Sequence, residues 1–376
     1  MVFCVLSIQL TFILSLHYYH IANNKEYAGL RWPYMVGGPW GTMDPESFHG
    51  ELTVVDTHCD SLKCMLPEFT EARGSMWAYR GDVGLGKRSH LGHVDVPRLL
   101  EGGVSCQFFA VSAQRTRWPP HPLRTALLMV EKFRRECQAE PRLVQAFKVA
   151  DIREAKRREG VAGVLSIEGC DVLEGRVEVL RVFHALGVRM VGLVHSLRNQ
   201  LADGVADRRT GGGLSELGVE VVEELNRLGV LVDVSHLNDQ GFWDVLDVSR
   251  DPIVASHSNA RSLCNHPRNL SDDMVVALAE KGGVVGVTFA PSFVSTGEAT
   301  LEGVVDHIDR VAELGGVEHV GLGSDFDGIP TTPRGLEDAS RFPAITAELL
   351  DRGYSEGEVA KIMGENHLRV FAQVVG

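Results

Sequence analysis

The chain lacks any cysteine pair at the CxxC spacing, and its seven cysteines are scattered and odd in number. This distribution indicates free thiols in a reducing compartment. Basic residues are also scarce: 37 Lys and Arg stand against 50 Asp and Glu, which gives a net charge of −13. Such a balance argues against a surface that binds nucleic acid or an anionic membrane.

A convincing membrane span is missing from the N-terminus. Residues 2–16 are apolar but too short to cross a bilayer comfortably, no basic region precedes them, and no Ala-x-Ala site follows. They could be a secretion leader, a membrane anchor, or an extension outside the folded protein. We favour the extension and predict a leader-like segment at 1–45 and one folded domain at 46–376. A cytoplasmic location is expected, with export or membrane association as the alternative if residues 1–20 act as a leader or anchor.

From residue 50 onward, short apolar runs alternate with longer amphipathic stretches, the pattern of βα units around a parallel sheet. Strands are predicted at 53–58, 104–110, 163–168, 188–194, 230–236, 252–257, 283–289 and 319–325. Helices are predicted near 121–139, 175–186, 215–228, 239–249, 271–281, 301–314 and 337–352. Eight strands with parallel crossovers favour a closed (β/α)8 TIM barrel, an α/β fold, over an open sheet.

Polar residues of one chemical kind follow these strands. In a barrel, the chemistry gathers at the carboxyl ends of the strands, and seven acids and histidines fall there: His58, Asp60, Glu168, His195, His236, His257 and Asp325. Because they come from segments far apart in the sequence, their arrival at one rim predicts a functional site.

The spacing of these residues suits metal ions. His58 and Asp60 are two residues apart at the end of a strand, so both side chains point to one face and can bind one ion. His236 and His257 each follow an apolar run that ends in Ser-His and lie about one βα unit apart, which places both within reach of one ion. Glu168 is a predicted buried acid, either paired with an arginine or bridging two metals.

The motifs around these residues resemble the membrane (renal) dipeptidase family, the M19 peptidases of the amidohydrolase-like barrels, and in particular its bacterial branch. The resemblance covers about residues 50–375. It rests on VVDTHCDSL at 54–62, SIEGCDVL at 166–173, GLVHSLRNQLADG at 192–204, LVDVSHLND at 231–239, PIVASHSNARSLCNHPRNLSDD at 252–273, HVGLGSDFDG at 319–328 and GENHLRVF at 364–371.

This resemblance implies a homodimeric dipeptidase with two divalent ions per chain, usually zinc. His58 and Asp60 would bind one ion and His236 and His257 the other, with Glu168 bridging both. A hydroxide shared by the ions would be the nucleophile.

The remaining matched residues would handle the substrate. His195 would stabilise the oxyanion, and Arg268 would bind the C-terminal carboxylate of the dipeptide. Asp325 would carry the proton to the leaving amine and attract the α-ammonium. Family members often accept a D-residue at the C-terminal position, so L,D-dipeptides are among the expected substrates.

Departures from the family pattern are local. Many bacterial relatives have Trp where this chain has His195, so the electrophile is less firmly assigned than the ligands. Cys59 and Cys170, close to two ligands, are interpreted as packed thiols, and Asp327 as a loop residue. Two other functions compete with the dipeptidase: an amidohydrolase-type reaction on a cyclic amide or an amine, which would not need Arg268, and a non-catalytic binding protein on a decayed barrel. The intact ligand set argues against decay.

Overall fold

A computed structural model of the chain describes residues 44–67, 83–113 and 121–376. The strands of these residues belong to one sheet in which every pairing is parallel. They are β1 Val54–Cys59, β2 Val104–Val111, β3 Leu143–Gln145, β4 Val161–Glu168, β5 Val188–Gly192, β6 Leu231–Asp233, β7 Ile253–Ala255, β8 Val284–Val287 and β9 Val320–Leu322.

The sheet closes into a barrel. Its order is β2-β1-β9-β8-β7-β6-β5-β4, and a pairing of β2 with β4 joins the two ends, so eight strands form the predicted (β/α)8 barrel. Each predicted strand contains or overlaps an observed one. The additional strand β3 was not predicted; it pairs with the first residues of β4, whose later residues pair with β5.

Helices connect the strands. They are α1 Pro45–Glu51, α2 Val96–Glu101, α3 Pro122–Ala139, α4 Val149–Arg157, α5 Val177–Leu186, α6 Glu216–Leu228, α7 Asp239–Val248, α8 Asp272–Glu280, α9 Pro291–Val294, α10 Leu301–Gly315, α11 Phe342–Asp351, α12 Glu356–Ala360 and α13 Asn366–Val374. The seven predicted helices correspond to α3, α5–α8, α10 and α11, and the other six were not predicted.

Local sequence signals set the ends of several helices. The hydroxyl of Ser271 accepts a hydrogen bond from the Met274 amide at the start of α8, and therefore caps that helix. Gly187 and Gly229 end α5 and α6 with φ angles of 107° and 67°, a left-handed conformation that glycine adopts without strain. These turns deliver the chain directly into β5 and β6.

The barrel is held by two clusters of buried apolar side chains. The larger cluster packs the helices against the outer faces of the strands, with Phe109, Phe133 and Phe183 among its members. The smaller cluster joins strand residues such as Phe108 to Phe371 of α13. Because the eight barrel strands are buried on both faces, apart from the half-buried Arg189, their sequences are mostly apolar runs.

The predicted extension at 1–45 lies outside the described residues except for its last two positions, and so does the apolar run at 2–16. The described residues all belong to one compact unit, Asp44–Gly376. Among the described residues, no helix combines the length and apolar character needed to cross a bilayer.

Candidate metal centre

The carboxyl ends of the barrel strands carry all seven residues predicted from the strand-end pattern. His58 lies within β1, Glu168 is the last residue of β4, and the others follow the strands within three residues: Asp60 after β1, His195 after β5, His236 after β6, His257 after β7 and Asp325 after β9. The structure therefore places the predicted residues on one rim.

Four imidazoles converge on one oxygen of Glu168. Its Oε1 lies 3.0 Å from Nε2 of His236, 3.5 Å from that of His195, 3.6 Å from that of His58 and 3.8 Å from that of His257. All these side chains except that of His195 are buried or nearly so. Ring nitrogens that surround a buried carboxylate oxygen at this density form a typical cation-binding arrangement.

The orientation of His257 is fixed from its outer side. Its Nδ1 lies 2.7 Å from Oγ of Ser256, and that hydroxyl donates to Oδ2 of Asp233 at 2.5 Å. Because the hydroxyl proton points to Asp233, Nδ1 of His257 carries the proton of the ring and Nε2 keeps its lone pair. This Nε2 lies only 2.9 Å from Nε2 of His236, so both nitrogens face the same small space.

Unsatisfied polar atoms test whether metal ions fit here. In the described part of the chain, Nε2 of His58 and Oδ1 of Asp60 are buried without a hydrogen-bond partner, which is costly unless a ligand binds them. Three groups bring possible ligand atoms within 4.8 Å of one another: His58/Asp60/Glu168, Glu168/His236/His257 and His58/His257/Asp325. The first two share Glu168 and coincide with the two predicted ligand sets, so the residues fit a pair of divalent ions.

The pKa values favour metal-binding protonation states. Burial holds the pKa of His236 and His257 well below the usual range, so both imidazoles are neutral near pH 7. Burial opposes ionisation of Glu168, but the positive charge of Lys63 and His195 nevertheless holds its pKa well below the usual range. Glu168, the predicted bridging residue, is therefore negatively charged.

Asp325 lies at the edge of this centre. Its Oδ1 is 3.9 Å from Nε2 of His58, and burial together with the charges of Asp60 and Glu168 raises its pKa to about 7, against the opposing effect of His58 and Arg268. A carboxyl group with such a pKa can both accept and donate a proton near neutrality. The third group of possible ligands includes Asp325, so its geometry permits coordination as well.

The sequence reasoning missed Lys63. It lies in a short 3-10 turn, Lys63–Met65, and its ammonium donates to Oδ2 of Asp60 at 2.7 Å and to Oε2 of Glu168 at 3.0 Å. The two carboxylates raise its pKa against the effect of burial. A lysine three residues after a ligand, inside the apolar segment that follows β1, was the signal in the sequence.

Two buried aspartates that support the ligands were also missed. Asp56 accepts hydrogen bonds from the amide and hydroxyl of Ser324 at 2.8 and 2.6 Å, which ties β1 to the segment that carries Asp325. Asp233 accepts from the amide and hydroxyl of Ser256 and thereby orients His257. In both cases an aspartate precedes a ligand histidine by two or three residues, in VVDTH and VDVSH, and this repeated pattern was the available signal.

Arg268 lies close to the metal centre, but it does not line the cavity of about 400 Å³ that opens onto this centre. Its Nη2 donates to the carbonyl oxygen of His257 at 3.0 Å, and its guanidinium lies 5.5 Å from the ring centroid of Phe293. Its Nε has no hydrogen-bond partner among the residues that the structure describes. The side chain is 5% exposed. Arg268 therefore lies in a buried position beside Phe293, which lines the cavity that opens onto the centre.

A cavity of about 400 Å³ opens onto the centre. Part of its wall consists of candidate metal ligands, and another part is largely apolar. The lining residues are Asp60, Glu168, His195, Ser196, His236, Ala290, Pro291, Ser292, Phe293, Asp325, Gly328, Ile329, Pro330 and Thr331. This volume suits a small ligand. A larger cavity of about 570 Å³, lined by Arg208 and Arg261 among others, contains none of the predicted ligands.

Cys59, Cys170 and Asp327, which the sequence analysis interprets as structural residues, lie in supporting positions. The thiol of Cys170 is directed to the Gly192 carbonyl oxygen at 3.6 Å, and Cys59 accepts a hydrogen bond from Ser61. Neither belongs to a possible metal-binding group among the described residues. Asp327 accepts from Ser61 and from the amide of His93, and therefore orders its loop.

A parallel barrel with two adjoining groups of possible metal ligands at the carboxyl ends of its strands is typical of metal-dependent hydrolases. The family model of the membrane dipeptidases (peptidase family M19) matches residues 45–375. The chain therefore belongs to this family, and the protein is a metallodipeptidase.

Individual relatives agree with this assignment. The chain is 38% identical over 296 residues to "Dipeptidase aclJ" of Aspergillus oryzae, which covers 75% of this chain and 70% of the relative. Its fold is similar to that of a metallo peptidase from Rhodobacter sphaeroides liganded with a phosphinate mimic of the dipeptide L-Ala-D-Ala, with a TM-score of 0.75, 29% identity and coverage of 86% and 99% of the two chains. The dipeptidase AC, a metallo peptidase of family M19, gives the same TM-score and coverage at 31% identity.

Proposed function

We propose that this enzyme hydrolyses the peptide bond of free dipeptides with two divalent ions, zinc in the first instance, and that L,D-dipeptides are among its substrates. The observation that carries the proposal is the convergence of four imidazole nitrogens on Oε1 of Glu168, within 3.0–3.8 Å. One shared carboxylate between two groups of ligands is the arrangement expected of a bridged pair of ions.

His58 and Asp60 would hold one ion and His236 and His257 the other, with Glu168 between them. When bound, such a pair supplies Lewis-acid polarisation and lowers the pKa of water toward neutrality. The protein contributes the fixed geometry: Ser256 and Asp233 hold the imidazole of His257 with its lone pair inward.

Asp325 and His195 would act on the substrate itself. Asp325, with its pKa raised to about 7, would take the proton of the attacking water and deliver it to the leaving amine. His195 lines the cavity with its Nε2 directed toward Glu168 Oε1, and would donate a hydrogen bond to the oxyanion that develops from the scissile carbonyl.

Recognition of both ends of the substrate would limit the reaction to dipeptides. Asp325 would attract the α-ammonium, and Arg268 would bind the free carboxylate. The acceptance of L,D-dipeptides is supported by the Rhodobacter sphaeroides relative, which is liganded with a mimic of L-Ala-D-Ala. An arginine that binds the C-terminal carboxylate recognises its negative charge, which is the same whether the Cα configuration of that residue is L or D.

A screen of L,L- and L,D-dipeptides with metal analysis of the purified protein tests this proposal. We expect about two divalent ions per chain, cleavage of both dipeptide classes, and little cleavage of tripeptides or amidated dipeptides. Equal cleavage of amidated and free dipeptides would exclude Arg268 as the residue that binds the C-terminal carboxylate, and would favour an amidohydrolase-type reaction on other amides. A single bound ion would refute the two-metal site.

Assembly and location are further proposals. A homodimer is expected from the family resemblance, and light scattering coupled to size exclusion would test it. A cytoplasmic location is supported by the scattered cysteines, and fractionation of producing cells would test it against export directed by residues 1–20.

A further inference from the structure

A lysine ammonium lies inside the proposed metal centre. Lys63 is 2% exposed, and its Nζ lies 2.7 Å from Oδ2 of Asp60 and 3.0 Å from Oε2 of Glu168. Both partners are almost fully buried, with 4% and 5% of their side chains exposed. One cation of the chain itself therefore forms ion pairs with two of the carboxylates that are predicted to bind metal.

The ammonium takes one oxygen of each carboxylate and leaves the other. Within the described ranges of the chain, Oδ1 of Asp60 has no hydrogen-bond partner, and Oε1 of Glu168 faces the four histidines. An ion held by His58, Asp60 and Glu168 would bind these remaining oxygens, within a few ångströms of the ammonium. Like charges repel strongly at that separation in a buried site.

The two ligand groups are unequal in this respect. Lys63 hydrogen-bonds two carboxylates of the His58/Asp60/Glu168 group and one carboxylate, the shared Glu168, of the Glu168/His236/His257 group. The other two possible ligands of the second group are imidazoles, whose Nε2 atoms lie 2.9 Å apart. The repulsion therefore falls mainly on the first group.

We propose that Lys63 is a resident cation of the metal centre, which stabilises Asp60 and Glu168 before metal is bound and weakens ion binding at the His58/Asp60/Glu168 group. The ion at His236 and His257 would then bind more tightly, and the ion at His58 and Asp60 would exchange more readily. This inference rests on the two-ion site proposed above.

Chelator challenge of the zinc-loaded full chain tests the inference without an activity assay. In the wild type, one zinc should be lost at a chelator concentration about tenfold or more below that which removes the second, because the ammonium repels only one ion strongly. Lys63→Met should retain the weaker zinc to about tenfold higher chelator concentration. The zinc-stripped Lys63→Met chain should melt about 5 °C or more below the stripped wild type, because two buried carboxylates lose their partner.

Two further variants complete the design. Lys63→Gln keeps a hydrogen-bond donor without the charge; it should also retain the weaker zinc more tightly, and it carries the test if Lys63→Met does not fold. Lys132→Met is the matched control, since Lys132 pairs with the largely buried Glu136 at 3.0 Å outside the metal centre. It should leave zinc retention unchanged.

The outcomes separate this inference from the proposed function. Two zincs in the wild type, with unchanged or weaker retention in the Lys63 variants, would overturn the role of Lys63 alone and make it a residue that only positions the ligands. Equal melting of the stripped wild type and Lys63→Met would overturn the stabilising half of the proposal. Fewer than two zincs in the wild type would overturn the two-metal site and this inference with it.

Discussion

Glu168→Gln is the substitution that most directly tests the bridging position. The carboxylate uses both oxygens: Oε2 accepts from Lys63 at 3.0 Å, and Oε1 lies 3.0 Å from Nε2 of His236. An amide of the same shape has only one oxygen. If that oxygen stays with Lys63, the NH2 group donates to the lone pair of His236 and occupies the atom that an ion needs.

The magnitude follows from the loss of charge. At 3.0 Å, and with an effective dielectric constant of about 20, the attraction between Lys63 and Glu168 is worth about 5 kcal/mol before desolvation is subtracted. Each divalent ion loses the attraction of the same anion. Substitution of a residue that only supports a ligand weakens metal binding by about 10–100-fold. Loss of a ligand shared by both ions should therefore exceed about 100-fold for each.

Competition with a chromophoric chelator, together with metal analysis after dialysis, measures this loss. Glu136→Gln is the matched control: Glu136 is also largely buried, accepts an amide hydrogen bond from Leu85 and pairs with a lysine, but it lies outside the metal centre. It should keep both ions. A Glu168→Gln protein with two tightly bound zincs and full activity would refute the bridging assignment.

Three other changes separate chemistry, substrate capture and folding. Asp325→Asn should retain both metals and lower kcat by about 10²–10⁴-fold; loss of a metal would instead identify Asp325 as a ligand. Because the pKa of Asp325 is raised to about 7, its contribution to the stability of the metal-free chain is present below about pH 4 and is lost as the pH rises through about 7. In Asp325→Asn, the melting temperature of the metal-free chain should therefore change less with pH over this range. Arg268→Ala should raise KM for free dipeptides by the equivalent of about 1.5–3 kcal/mol. It should also narrow the difference in KM between dipeptides with free and amidated C-termini, and an unchanged difference would exclude Arg268 as the residue that binds the carboxylate. A chain that begins at Met43 should fold and hydrolyse dipeptides normally; an insoluble or inactive product would show that residues 1–42 contribute to the fold.

The strands of the barrel could be predicted because each is buried on both faces and leaves a continuous apolar run in the sequence. The short strand β3 left no such signal, since Leu143–Gln145 has one fully buried side chain. The helix Val149–Arg157 was missed for a similar reason: only Ile152 and Ala155 are buried in it, so it contributes few apolar residues to the sequence pattern.

The location of the candidate ligands on one rim could be predicted because their positions follow from strand ends. The sequence carried signals for the positions of Lys63 and Asp233 but not for their contacts, because each contact joins distant segments. Lys63 and Glu168 are 105 residues apart, and Asp233 and Ser256 are 23 apart. The buried position of Arg268 beside Phe293 likewise involves a contact between separate segments, which the motif HPRN does not specify.

The left-handed backbone of two site residues limits how this enzyme can be engineered. His236 and Asp325 have φ angles of 70° and 64°, in a region that costs a non-glycine residue about 1 kcal/mol or more. A search for thermostabilising substitutions based on backbone preference would therefore select glycine at both positions and remove a proposed ligand and the proposed proton carrier together. Stabilisation is better sought on the outer helices, where a gain in melting temperature does not compete with turnover.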